Sequence, residues 1–164
     1  FEYTGRALGG FATFEIDNIE LEVCLPDLDG DGIPDEFDLD NDNDGMPDDW
    51  ELDHGLNPFN ASDASTDVDD DLRSNLDEFI ADTDPTNVLS FLRLQINQRT
   101  IPGGQPLSFD SSSNREYFID YTTNLVLPAW LPALTNEPGN GAVKAVTITN
   151  SDATATYRLG VEAP

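Results

Sequence analysis

The chain has 164 residues, 38% of them hydrophobic, and carries 33 acids against seven Lys and Arg, a formal net charge of −26 at pH 7. That length suits one ordinary domain, or two small units with a linker. A sequence pI of about 4.1 argues against nucleic-acid binding, which needs clustered Lys and Arg, and no apolar run reaches the ~18 residues of a membrane helix, so membrane insertion is not expected. The chain opens at Phe1 without an initiator Met or a signal peptide, which reads as a mature product or an excerpt. The acids divide it: Asp27 to Asp84 holds 22 acids and one base, Arg73, and so −21 of the total, while residues 88–164 hold six acids and five bases.

The first predicted element is strand-like. In FATFEIDNIELEV, Phe14 and Ile16 alternate in one phase and Ile19, Leu21 and Val23 in the other, so Asp17-Asn18 should be a bulge or bend. Cys24, the lone cysteine, cannot form an internal disulfide and reads as a small buried hydrophobe at the strand end. The IDNIEL stretch resembles the last strand of jelly-roll carbohydrate-binding modules. Residues 1–25 are therefore expected to be a strand segment, either a jelly-roll remnant or a strand donated to a neighbouring subunit.

A block as acidic as the next one would by default be a self-repelling disordered tail. Its spacing argues otherwise. Asp27, Asp29, Asp31, Asp35 and Asp38, then Asp40, Asp42, Asp44, Asp48 and Glu51, both follow D-x-D-x-D-G-x-P-D-x-x-[DE], displaced by 13 residues. Carboxylates at loop positions 1, 3, 5, 9 and 12 with Gly at 6 are what an EF-hand-type loop wraps around Ca²⁺, and the position-7 carbonyls of Ile33 and Met46 would complete the shells. Pro34 and Pro47 fix φ immediately afterwards, which suits a tight loop with no continuing helix. A third set, Asp67, Asp69, Asp71, Asn75 and Glu78 with the Arg73 carbonyl, has Leu72 at position 6. A bulky residue at positive φ costs roughly 1 kcal/mol or more, so this loop is expected either to turn differently or to bind more weakly. Trp50 and Leu52, and Leu76, Phe79 and Ile80, suggest short helical turns whose apolar side covers the ion sites, with Trp50 in the core and His54 at a helix end before Gly55. No His or Cys cluster suggests zinc, and magnesium favours near-ideal octahedra with retained waters, so at least three Ca²⁺ ions are expected.

DLDGDGIPDEFDLDNDNDGMPDDWELDHGLNPFNASDAS followed by DVDDDLRSNLDEFIADTDPTN resembles the thrombospondin type 3 calcium-binding repeats of secreted bacterial proteins. The resemblance spans residues 26–87. It implies an irregular calcium-centred segment used as a stiff spacer or scaffold, and a bacterial extracellular or cell-surface location. That location agrees with the roughly 10⁻⁴ to 10⁻³ M affinities of extracellular calcium modules.

From residue 88 the composition turns to alternation and turn residues. Residues 91–96, 107–109, 117–122, 143–149 and 155–161 read as strands, separated by Pro102-Gly103-Gly104, Ser111 to Asn114 and Pro138-Gly139-Asn140-Gly141. Tyr117, Ile119 and Tyr121 should share one face, as should Tyr157, Leu159 and Val161. Short strands at this spacing predict a small antiparallel sandwich over 88–164, with Trp130 as core. REYFIDYTTNLVLPAWLPAL with TYRLGVE resembles the fibronectin-III-like C-terminal domains of secreted bacterial proteins, which implies a β-sandwich without fixing a ligand. The expected fold is thus mainly β: a sandwich plus an irregular calcium-stabilised segment. No nucleophile motif or phosphate loop is present, and the acids that could pair as glycosidase acid and base belong to the calcium pattern, so no enzyme is expected. The expected role is a structural protein that self-associates by strand pairing into a homopolymer. The alternative is a calcium-rigidified linker and accessory module of a larger secreted polysaccharide-degrading enzyme or adhesin, with polysaccharide as its partner.

Overall fold

The computed structural model of the protein describes residues 11–16, 19–98, 104–149 and 154–162. The fold is mainly β, and among the described residues the short helices lie in the acidic segment. It divides into two compact units, Phe1–Thr66 and Asp67–Pro164, a boundary that falls inside the segment read above as one repeat array.

In the first unit, β1 (Phe11–Ile16) pairs antiparallel with β2 (Ile19–Cys24), from Phe11 opposite Cys24 to Ile16 opposite Ile19. The change of alternation phase in the sequence is therefore a reversal of the chain between two paired strands. Asp17 and Asn18, expected to form a bulge or bend, lie outside the described residues. Cys24 is exposed and free, not buried as expected, because it stands at the end of a sheet of only two strands. Two acidic loops follow, and the second leads directly into helix α1 (Asp48–His54), with extended Pro47 at its N-cap and Gly55 at φ 75° closing it. The helical turn expected around Trp50 and Leu52, ending at His54, is α1, and Pro47 starts it although it was read as marking a loop with no continuing helix. Its fixed φ and missing N–H suit a helix entry, where an amide has no intrahelical partner anyway. After the first loop only one turn forms, with Phe37 and Asp38 donating to the Pro34 carbonyl at 2.8 and 3.1 Å.

The second unit begins with the third acidic loop and helix α2 (Asn75–Ala81), capped by the Ser74 side chain accepting from Asp77 N and ended by Asp82 at φ 58°. Six strands follow: β3 (Gln95–Ile96), β4 (Gln105–Asp110), β5 (Glu116–Thr122), β6 (Leu131–Pro138), β7 (Val143–Ile148) and β8 (Thr156–Glu162). They form two antiparallel three-stranded sheets, ordered β3-β4-β7 and β6-β5-β8. Leu107 and Phe109 of β4 and Ile148 of β7 pack against Tyr117 and Ile119 of β5, and the Phe109 and Tyr117 rings stand 5.0 Å apart. The buried Tyr117 hydroxyl accepts from Ser112 N at 2.8 Å, so its polar end is satisfied inside the sandwich.

The alternation expected in β5 and β8 is observed as cross-strand pairs: Tyr117 opposite Val161, Ile119 opposite Leu159, Tyr121 opposite Tyr157. β6 was not expected, since Pro132 and Pro138 disguise it. It is an edge strand, where a missing N–H costs no ladder bond, and its pairing with β5 shifts register around Ile119. The strand expected over 91–96 shrinks to its last two residues, and residues 99–103 lie outside the description. Trp130 is half-buried with Arg158 stacked on its ring at 4.5 Å, so it belongs to the sandwich margin and not to its core.

Candidate metal centre

The three acidic loops share one backbone design. Position 4 has positive φ in each, at Gly30 (77°), Asn43 (56°) and Asp70 (64°), and so does position 6, at Gly32 (98°), Gly45 (96°) and Leu72 (75°). Leu72 therefore makes the same left-handed turn as the two glycines, and its side chain projects outward at 90% exposure. Of the two outcomes expected for this loop, a different turn is excluded. The position-5 carboxylate accepts from the position-7 amide in each loop: Asp31 from Ile33 (2.7 Å), Asp44 from Met46 (2.9 Å), Asp71 from Arg73 (2.8 Å). These bonds use one oxygen of each aspartate and hold the other free to face a ligand.

Position 1 distinguishes the loops. Asp40 accepts from Asp44 and Gly45 amides at 3.2 and 3.0 Å, and Asp67 makes the same pair with Asp71 and Leu72 at 3.2 and 2.8 Å. Asp27 accepts instead from Gly30 at 2.9 Å, so the first loop is held by a shorter turn. The position-9 acids serve as braces. Asp35 accepts from Leu28 N at 2.8 Å, while Asp48 takes Asn41 N at 2.8 Å and the Asn41 side-chain amide as well. Asp38, at position 12 of the first loop, turns to the next segment and accepts from the Leu39 and Asp40 amides.

The structure gathers ligand atoms within 4.8 Å of one another in four groups: Asp27 with Asp29 and Asp31; Asp40 with Asp42 and Asp44; Asp44 with Glu51 and Asp63; and Asp67 with Asp69 and Asp71. Position 12 explains the depth of the second and third sites. Glu51 is fully buried, with neither carboxylate oxygen hydrogen-bonded, and Glu78 is 1% exposed with Oε2 in the same condition. Thr83 Oγ1 donates to the other Glu78 oxygen at 3.2 Å. One oxygen each of Asp44, Asp69 and Asp71 is also buried without a hydrogen-bond donor. Leaving a buried carboxylate unsatisfied costs several kcal/mol or neutralises it. Burial, reinforced by Asp44, Asp42, Asp63 and Asp48, pushes the Glu51 carboxyl up to about 8; burial, reinforced by Asp69 and Asp71, pushes Glu78 up to about 7. Burial likewise raises Asp42, Asp44 and Asp69. Oxygens stripped of hydrogen-bond donors and crowded by like charge fit a hard divalent cation.

The most buried residues of the helical turns include their acids, while of the apolar residues expected to cover these sites Leu76, Phe79 and Ile80 are half-buried. In α1 the buried residue is Glu51, while Leu52 is exposed and Trp50 is half-buried against the His54 ring at 4.3 Å. In α2 the buried residues are Asn75, Glu78 and Ala81. Each helix thus turns its position-12 acid inward. Of the position-7 residues, Met46 is fully buried, and Ile33 and Arg73 are exposed. Sequence reasoning missed Asp63, on the 3₁₀ turn Asp63–Ser65; its only signal is that it is the single acid between Asp53 and Asp67.

Compared with protein-family models, curated proteins and solved structures, the chain matches none. Among the described residues no helix is long and apolar enough to cross a membrane.

Proposed function

We propose that the chain is a non-catalytic, extracellular calcium-binding structural module whose acidic segment folds around at least three Ca²⁺ ions. One observation carries the reading: buried carboxylates without hydrogen-bond donors recur at equivalent positions of the second and third loops, whose backbone turns the first loop repeats at positions 4 and 6. Calcium is the cation of choice because it takes six to eight oxygens in adaptable geometry, whereas magnesium keeps its waters and needs a stricter octahedron. Sites of this kind work at the calcium concentrations found outside cells, and the ions would convert a segment of high negative charge into a stiff, ordered spacer. Thermal unfolding with and without a chelator tests this. The melting temperature of the metal-free protein should fall sharply in a fraction of the signal assigned to the acidic segment; equal melting in both states overturns the proposal.

A second reading, self-association through strand pairing, is favoured by the β1-β2 sheet. Two strands alone are marginal in water, and each has an outer edge without a partner strand among the described residues. Sedimentation of the calcium-loaded chain with and without residues 1–24 tests it: a monomer at high concentration, or equal assembly of both chains, rejects strand pairing.

A further inference from the structure

We propose that Asp63, which lies outside every loop motif, is a direct ligand of the ion in the second loop and clamps residues 55–66 onto it. The inference rests on the calcium reading above and deepens it. Asp63 opens a 3₁₀ turn and is only 8% exposed. Its carboxylate lies within 4.8 Å of ligand atoms of Asp44 and Glu51. The independent sign of a ligand is Glu51, completely buried in that same group with both oxygens lacking any donor. No cationic side chain forms an ion pair with Asp44 or Glu51 among the described residues.

The intervening chain is built to deliver this carboxylate. Leu56 N donates to Glu51 O at 2.8 Å, reversing the chain after α1, and successive turns carry Asn60 N to Asn57 O (2.9 Å) and Asp63 N to Asn60 O (3.0 Å). Asn57 N then donates to Asp63 Oδ2 at 3.0 Å, fixing the rotation of the carboxylate. A ligand supplied from 12 residues beyond Glu51 closes on the ion a stretch that has little core of its own, with Pro58 and Ala64 its buried apolar residues. The second site would then be the most enclosed of the three, and ordering of 55–66 would depend on its ion.

The test compares wild type, Asp63→Asn and Asp49→Asn in the full chain, titrated with Ca²⁺ alone by calorimetry. Asp63→Asn keeps an acceptor for Asn57 N, whereas Asp49→Asn removes the same charge from an exposed neighbour. Asp63→Asn should weaken one site about tenfold or more and leave the others unchanged, while Asp49→Asn has little effect. Equal affinities for Asp63→Asn and wild type, or an equal loss in both variants, overturns the assignment. Hydrogen exchange on wild type provides a readout independent of any variant's folding: amides of 56–66 should gain protection on calcium addition, and no gain overturns the clamp. Failure of wild type to bind calcium at all overturns the calcium reading itself, and the clamp with it.

Discussion

Leu72 offers a direct test of whether the three loops share one ion-binding backbone. It holds φ at 75° where the other loops have glycine at 98° and 96°. A left-handed conformation costs a side-chain-bearing residue roughly 1–2 kcal/mol. Replacement by Gly removes that strain but enlarges the unfolded ensemble, at roughly 0.5–1 kcal/mol. The Leu72 side chain is 90% exposed, so almost no burial is lost. Leu72→Gly should therefore stabilise the third loop by about 0.5–1 kcal/mol, equivalent to about two- to fivefold tighter calcium binding when loop closure and binding are coupled. Gly32→Ala is the converse. An added Cβ there meets nothing within 4 Å, so only the φ of 98° resists it, and the first site should weaken by about 1–2 kcal/mol. Calorimetric calcium titration of both variants reads both changes. Weaker or unchanged binding in Leu72→Gly, together with a harmless Gly32→Ala, would refute the shared-backbone reasoning.

The raised carboxyls give opposite pH dependences with and without metal. Glu51 near 8 and Glu78 near 7 hold protons that an unfolded chain would release near 4.5, so in metal-free protein their contribution to stability is full below about pH 4.5 and disappears as pH rises through 7 to 8. Metal-free melting temperature should thus fall between pH 5 and 8, calcium affinity should rise over the same range, and calcium added at pH 7 in weak buffer should release protons; a flat affinity would count against buried glutamate ligands. Arg115 is 7% exposed and donates to the Ile80 and Phe79 carbonyls, both at 2.7 Å, at the end of α2. Arg115→Ala should cost about 2–3 kcal/mol in urea unfolding and weaken the third site while sparing the first two, with Lys failing to restore the fork. A Cβ on Gly160 would lie 2.0 Å from the Phe118 ring across the β5-β8 pair. Gly160→Ala should cost about 1–3 kcal/mol by thermal melting, and adding Phe118→Ala should make the glycine substitution nearly neutral.

The elements legible in the sequence are those whose local chemistry agrees with their surroundings. Tyr117-Ile119-Tyr121 and Tyr157-Leu159-Val161 announce β5 and β8 because one face is apolar and the other is not. The aspartate ladder announces the loops because each position has a fixed task. Roles within a loop were less legible: Asp48 fits the ligand pattern, yet both its oxygens accept from Asn41, while Asp35 and Asp38 each commit one oxygen to backbone amides. Tertiary context hid the rest. β6 carries two prolines that only an edge strand tolerates, α1 buries Glu51 and exposes Leu52 against ordinary amphipathic logic, and Asp63 reaches its cluster through turns without a periodic pattern.

Native mass spectrometry of the full chain, recorded after calcium loading and again after metal stripping, measures the central claim most directly. The account predicts at least three bound calcium ions in the loaded protein, and the loss of one site in each of Asp31→Ala and Asp44→Ala. It further predicts a more extended charge-state distribution once the metal is stripped. Identical masses before and after stripping, with identical charge-state distributions, would contradict it.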